Sequence, residues 1–152
     1  MRTASRNRSR PALWTCAKCG RPFANRNQSH SCGRYTVKEF LKGKSKQSIE
    51  LYNCFVQAVR ECGKIIVAPA KTRVGFQVRM IFAAVNKLSE RGLDAHVVLA
   101  RRLEHPRFSR IESISPKNHV HHFHVSEGHE IDADVREWLK EAYSVGKQDH
   151  LK

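Results

Sequence analysis

Residues 64–88, KIIVAPAKTRVGFQVRMIFAAVNKL, decide the fold. Three runs rich in β-branched and aromatic residues, Lys64–Ala68, Arg73–Val78 and Ile81–Leu88, are parted only by Pro69-Ala70-Lys71-Thr72 and by Arg79-Met80. Such runs favour strands, and the gaps are too short for the crossover helices that parallel strands require. Neighbouring strands should therefore run antiparallel. Whether Ile81-Phe82 opens a strand or prolongs the one before it stays open at this level.

The same texture continues downstream. Leu93–Leu99 follows Gly92, Phe108–Ile114 follows Pro106, and Val120–Val125 follows the turn Pro116-Lys117-Asn118. On either side of this block the apolar period changes from two to 3.6. Between Lys46 and Cys62, the residues Ile49, Tyr52, Phe55, Val56 and Val59 form one stripe, with Gly63 where a C-cap belongs. From Asp132 to about Tyr143, a second stripe joins Val135, Trp138, Leu139 and Ala142, and Gly146 should end it. A sheet face is the only surface large enough to bury both stripes. The expectation is a two-layer α+β domain over residues 46–146, with a mostly antiparallel sheet of about five strands packed against two long helices. Cys54 and Cys62 lie eight apart on the first helix and read as buried, inert thiols.

Upstream, Thr36-Val37-Lys38-Glu39 has the form of a capping box that opens a short helix ending near Gly43. Residues 36–45 are expected to be that helix and a polar linker, and residues 147–152 a tail. Residues 13–35, LWTCAKCGRPFANRNQSHSCGRY, are too few to build a hydrophobic core unaided. They do carry Cys16, Cys19, His30 and Cys32, three thiolates and an imidazole suited to tetrahedral Zn(2+). The CxxC pair can converge on one ion, and Gly20 allows the backbone angle of the knuckle. His30 and Cys32 are two apart, which in extended chain puts them on one side. Four protein donors leave no open position, so the site is read as one structural ion, with Trp14 and Phe23 as its cover. A redox role for CxxC is disfavoured because no βαβ unit surrounds it.

Charge divides the chain unevenly. The 152 residues hold 28 Lys+Arg against 14 Asp+Glu, a net +14. Residues 1–48 contain twelve basic residues and one acid, Glu39, for a net +11, while residues 49–152 carry 16 and 13 for +3. A concentrated positive field attracts phosphates through many salt-sensitive contacts. Residues 1–12, with Arg2, Arg6, Arg8 and Arg10, are expected to be a disordered basic arm. That arm, with Arg21, Arg26, Arg34 and Lys38 on the zinc segment, forms a candidate nucleic-acid surface, RNA or DNA, of weak sequence specificity. No apolar run is long enough to cross a bilayer, and no hydrophobic stretch follows the opening arginines as in a secretory signal. Five cysteines, an odd number, argue for a reducing cytoplasm over a disulfide framework.

Four of the nine His fall in Asn118–Val125. Alternation places Val120, His122 and His124 on one face, and His119, His121, Phe123 and Val125 on the other. His122 and His124 could share a metal, but ordinary hydrogen-bonded imidazoles are the simpler reading. Lys71-Thr72-Arg73, at the mouth of a hairpin, can hold an anion. No glycine-rich phosphate loop, nucleophile elbow or His-Glu-x-x-His is present, so no catalytic mechanism is nominated.

The run from Trp14 through Cys16, Cys19, Gly20, Arg21 and Phe23 to Asn27–Cys32 resembles the zinc-knuckle segment of an uncharacterised bacterial family. In that family it precedes a small α+β domain of unknown function. Lys71–Gln77, Phe82–Val85, His121–Val125 and Asp134–Tyr143 are similar to blocks of that domain. The resemblance implies a two-module plan and draws attention to Lys71, Arg73, His121 and His122. It yields an alternative expectation: a small-ligand-binding or enzymatic α+β domain with its site near those four residues, the zinc being purely structural.

Overall fold

The protein is described by a computed structural model covering residues 12–151. The basic arm, except for Ala12, and its four arginines therefore lie outside the described residues. Two short strands, β1 (Trp14–Thr15) and β2 (Pro22–Phe23), pair antiparallel in the Cys/His segment. Helices α1 (Val37–Leu41) and α2 (Lys46–Arg60) follow, then β3 (Ile66–Pro69), β4 (Val74–Gln77), β5 (Ile81–Ser89), β6 (Gly92–Leu99), β7 (Phe108–Ser115) and β8 (Asn118–Val125). The chain closes with α3 (Ala133–Gly146) and a single 3-10 turn.

The large sheet has six strands in the order β3-β4-β5-β6-β8-β7, every neighbouring pair antiparallel. It is thus one strand richer than the expected count, and Ile81 opens a strand of its own after a turn in which the Val78 N–H donates to the Met80 carbonyl (3.2 Å). Both long helices pack on one face, across β5 and β6. Phe55 of α2 meets Phe76 and Phe123 at ring separations of 6.1 and 6.3 Å, and Trp138 of α3 lies 5.4 Å from Phe123. The two-layer α+β architecture read from periodicity is present.

Each helix start has a side-chain cap. Thr36 Oγ1 accepts from the Glu39 N–H and Glu39 Oε1 accepts from the Thr36 N–H, the reciprocal box expected from sequence. Ser45 and Asp132 cap α2 and α3 without the reciprocal bond, their side chains accepting from the Ser48 and Val135 N–H groups. Phe40 of α1 sits 6.0 Å from Tyr52, so this short helix packs on the core through its apolar side.

Two details differ from expectation. Cys54 is exposed, because the buried face of α2 runs through Leu51, Phe55, Ala58 and Val59 and leaves Cys54 on its flank. Cys62 is half-buried beyond the end of the helix. Gly146 does not lie past α3 but is its last residue, with both Arg79 N–H and Met80 N–H donating to its carbonyl (2.9 and 3.1 Å).

Candidate functional site

The Cys/His segment is organised by backbone turns. The Gly20 N–H donates to the Cys16 carbonyl (2.8 Å) and the Cys16 N–H to the Arg21 carbonyl (3.0 Å), with Gly20 at φ +75°. Only glycine takes that angle freely. Cys32 reaches its place at φ +53°, followed by Gly33 at +73°. The ligand atoms of Cys16, Cys19, His30 and Cys32 all lie within 4.8 Å of one another.

The separations suit a tetrahedral ion. Bonds of about 2.3 Å to sulfur and about 2.0 Å to nitrogen place two thiolates about 3.8 Å apart, and a thiolate and an imidazole nitrogen about 3.5 Å apart. Cys16 Sγ to Cys32 Sγ is 3.8 Å, and Cys19 Sγ to His30 Nε2 is 3.4 Å. His30 Nδ1 lies 2.7 Å from the Gln28 carbonyl, to which it donates, and this leaves Nε2 free of its proton for a metal. The Cys16 thiol is pulled down to about 6, chiefly by the Cys19 backbone N–H. Phe23 is buried, its ring 4.4 Å from that of His30 and 5.9 Å from that of Trp14. The miniature core therefore consumes Phe23 and part of Trp14.

Arg21, read from sequence as a phosphate clamp, is engaged elsewhere. Its Cζ stacks 4.4 Å over Phe23 and its Nε donates to Gln77 Oε1 (2.8 Å). Gln77 Nε2 returns a hydrogen bond to the Pro22 carbonyl (2.6 Å), and Gln77 is 1% exposed. This two-way joint seats the Cys/His segment on the sheet face opposite the helices, over the β3–β5 end. A cleft of about 190 Å³ remains between them, bounded by Ser29 and His30 above and by Gly75, Ala84 and His96 below.

Beyond that cleft the open face forms a groove of about 710 Å³. The register places Gly75, Ala84, His96, His122 and Arg110 in one row across five strands. A bulge between Val85 and Lys87 interrupts alternation, so Asn86 and Lys87 both face the groove. Asn86 Nδ2 donates to His96 Nδ1 (2.9 Å). Burial, with the electrostatic influence of His122 and Arg73 beside it, pushes His96 down to about 4, so it is neutral at pH 7. The rings of His96 and His122 are 5.4 Å apart, and Glu112 Oε1 holds His122 Nε2 at 2.8 Å. That hydrogen bond is the leading reason the Glu112 carboxyl titrates below its ordinary range. Asp94 Oδ1 holds His124 Nδ1 at 2.6 Å.

The four residues singled out as a ligand site do not come together. Arg73 and His122 line the groove. His121 is fully buried on the helix side, where its Nε2 accepts from the Leu103 N–H (2.9 Å), and its place is structural. Lys71 is exposed in the β3–β4 turn outside the groove lining. The correction follows from strand alternation, which sends His121 and His122 to opposite faces. His122 and His124 do share a face, but each is tied to its own carboxylate, and the only metal-competent group among the described residues is the Cys/His cluster. Asn86 and His96 belong to no motif that sequence reasoning singles out, and Gln77 enters only as the last residue of the Lys71–Gln77 block. His96 has one signal, a lone imidazole in the apolar run AHVVL.

A two-layer α+β domain with a Cys3His cluster docked on its open sheet face is the class these features define. No helix among the described residues is long and apolar enough to cross a membrane. The chain belongs to the family described as Domain of unknown function (DUF5655), which matches residues 37–146. The match begins at α1 and thus covers the sheet and all three helices, but not the Cys/His segment. No curated protein and no solved structure matches the chain.

Proposed function

We propose that this is a cytoplasmic, zinc-stapled binding protein that associates with nucleic acid electrostatically and with weak sequence specificity. The observation that carries the reading is the outer surface of the Cys/His segment and α1. Lys18, Arg26, Arg34 and Lys38 are exposed there, none of them paired with a carboxylate among the described residues. The one acid in the region, Glu39, is occupied by its capping box. Zinc is the metal favoured by three thiolates and one imidazole at these separations, and with no vacant position its part is structural.

The test is a salt titration of labelled single-stranded RNA, single-stranded DNA and duplex against the full chain. With about six phosphates neutralised, duplex affinity should fall with a log–log slope near −5. Replacing Arg26, Arg34 and Lys38 together by Gln should weaken all three ligands and flatten the slope by about one unit for each phosphate that is no longer neutralised. No binding to any of them at about 50 mM salt would refute the reading. A second reading, favoured by the groove on the open sheet face, is a small-ligand site at Arg73 and His122 with the metal purely structural.

A further inference from the structure

We propose that the groove over the open sheet face binds a small organic phosphate, the phosphate seated at the Thr72, Arg73 and Lys87 end and the uncharged body lying over His96, His122 and Val120. This rests on the second reading above and gives that site its ligand class.

Three observations converge. The volume, about 710 Å³, lies within the span of small-molecule sites, roughly 300–1,000 Å³. The charged groups that line it are unequally engaged. The register pairs Val74 with Val85, which brings Arg73 beside the bulged Asn86-Lys87, and neither cation has an ion-pair partner among the described residues. Asp94, which stands opposite Lys87 in the β5–β6 register, is held by His124, and Glu112 is held by His122 and Arg110, so both lining carboxylates are already tied. A ligand with one anionic end and a neutral body meets the two untied cations, whereas a polyanion laid along the groove would run over both carboxylates. An Arg guanidinium and a Thr hydroxyl suit phosphate oxygens. The imidazoles are also prepared for a neutral body. Asn86 fixes His96 through Nδ1, leaving Nε2 as its remaining nitrogen, and Glu112 fixes His122. The bulge that doubles the polar groups at this point is the local irregularity that sheets place beside binding sites.

The experiment follows the histidine ring signals of the full, metal-loaded chain by NMR during titration with adenosine 5′-monophosphate, inorganic phosphate and adenosine. The monophosphate should shift the His96 and His122 rings saturably, and inorganic phosphate should shift the same rings at higher concentration. Arg73→Gln should weaken the monophosphate at least tenfold, and Arg73→Lys should recover part of the loss. Equal shifts from adenosine and the monophosphate would overturn the phosphate assignment while leaving a ligand site in the groove. Rings unmoved by all three probes would overturn both. Binding of these probes to the basic outer surface of the Cys/His segment would leave the two rings unmoved, so it cannot be mistaken for support.

Discussion

His96 shows how one side chain couples the groove to stability. It is held at about 4, below the ordinary 6.5, first by burial and then by the electrostatic influence of His122 and Arg73. In the unfolded chain it takes a proton as pH falls through 6.5, whereas in the folded chain it does not until about 4. Its contribution is therefore complete above 6.5, falls between 6.5 and 4, and is flat below. The full span is worth roughly 3 kcal/mol. His121, lowered by its own burial, acts with the same sign. His124, raised by its hydrogen bond to Asp94, opposes them: its contribution is present at low pH and is lost as pH rises through its folded value. Urea denaturation at about pH 7 and about pH 4.5 should show the native chain losing more stability on acidification than His96→Gln does. The difference between the two chains isolates His96 from protonation of the cysteine ligands, and equal losses would show that the imidazole is not held neutral. The grip of Asn86 on His96 is hidden in the sequence, because a bulge is a one-residue event that leaves no mark on composition.

The elements are the most legible part of the molecule. The strands can be read from runs rich in β-branched and aromatic residues, even where β4 and most of β6 are buried on both faces, and the two long helices from a period of 3.6. Legibility fails where a residue stands at the margin of a face, as with Cys54, and where the chemistry of a residue is the only guide, as with Gly146. Glycine near a helix end suggests a stop signal, but the position of Gly146 answers to packing. A Cβ there would lie 2.7 Å from Phe82 Cδ1, and the Phe82 ring is itself fixed edge-on against Tyr143 at 5.4 Å. Gly146→Ala should therefore destabilise by about 1–3 kcal/mol through overpacking, despite the better helix propensity of alanine. A thermal melt should fall by about 2–4 °C per kcal/mol for a chain of this size. An unchanged or raised melting temperature would mean that Phe82 can move aside.

At the scale of the whole molecule, the seat of the Cys/His segment on the sheet is illegible in the sequence, since Arg21 and Gln77 are 56 residues apart. Its ligand set is legible, because the CxxC and HxC spacings are local. The segment has almost no core beyond Phe23 and half of Trp14, so its order should depend on the ion. In zinc-finger peptides the metal contributes about 10–16 kcal/mol of apparent folding free energy at neutral pH. Stripping it should make the amides of residues 13–35 exchange rapidly and open Cys16, Cys19 and Cys32 to alkylation, while residues 46–146 keep their protection. Preserved protection of residues 13–35 in chain shown by elemental analysis to be metal-free would contradict this. The strand order carries a separate consequence. Because β8 lies inside β7, the two edges of the sheet are β7 and the four-residue β3, which ends at Pro69. Along β7 the ladder is broken at two places, between Phe108 and Arg110 and between Ser113 and Ser115, and Arg110 and Glu112 stand between the breaks. A short edge ending in proline and a kinked, charged edge are poor templates for another chain's backbone, so the fold resists edge-to-edge aggregation even when its concentration is high.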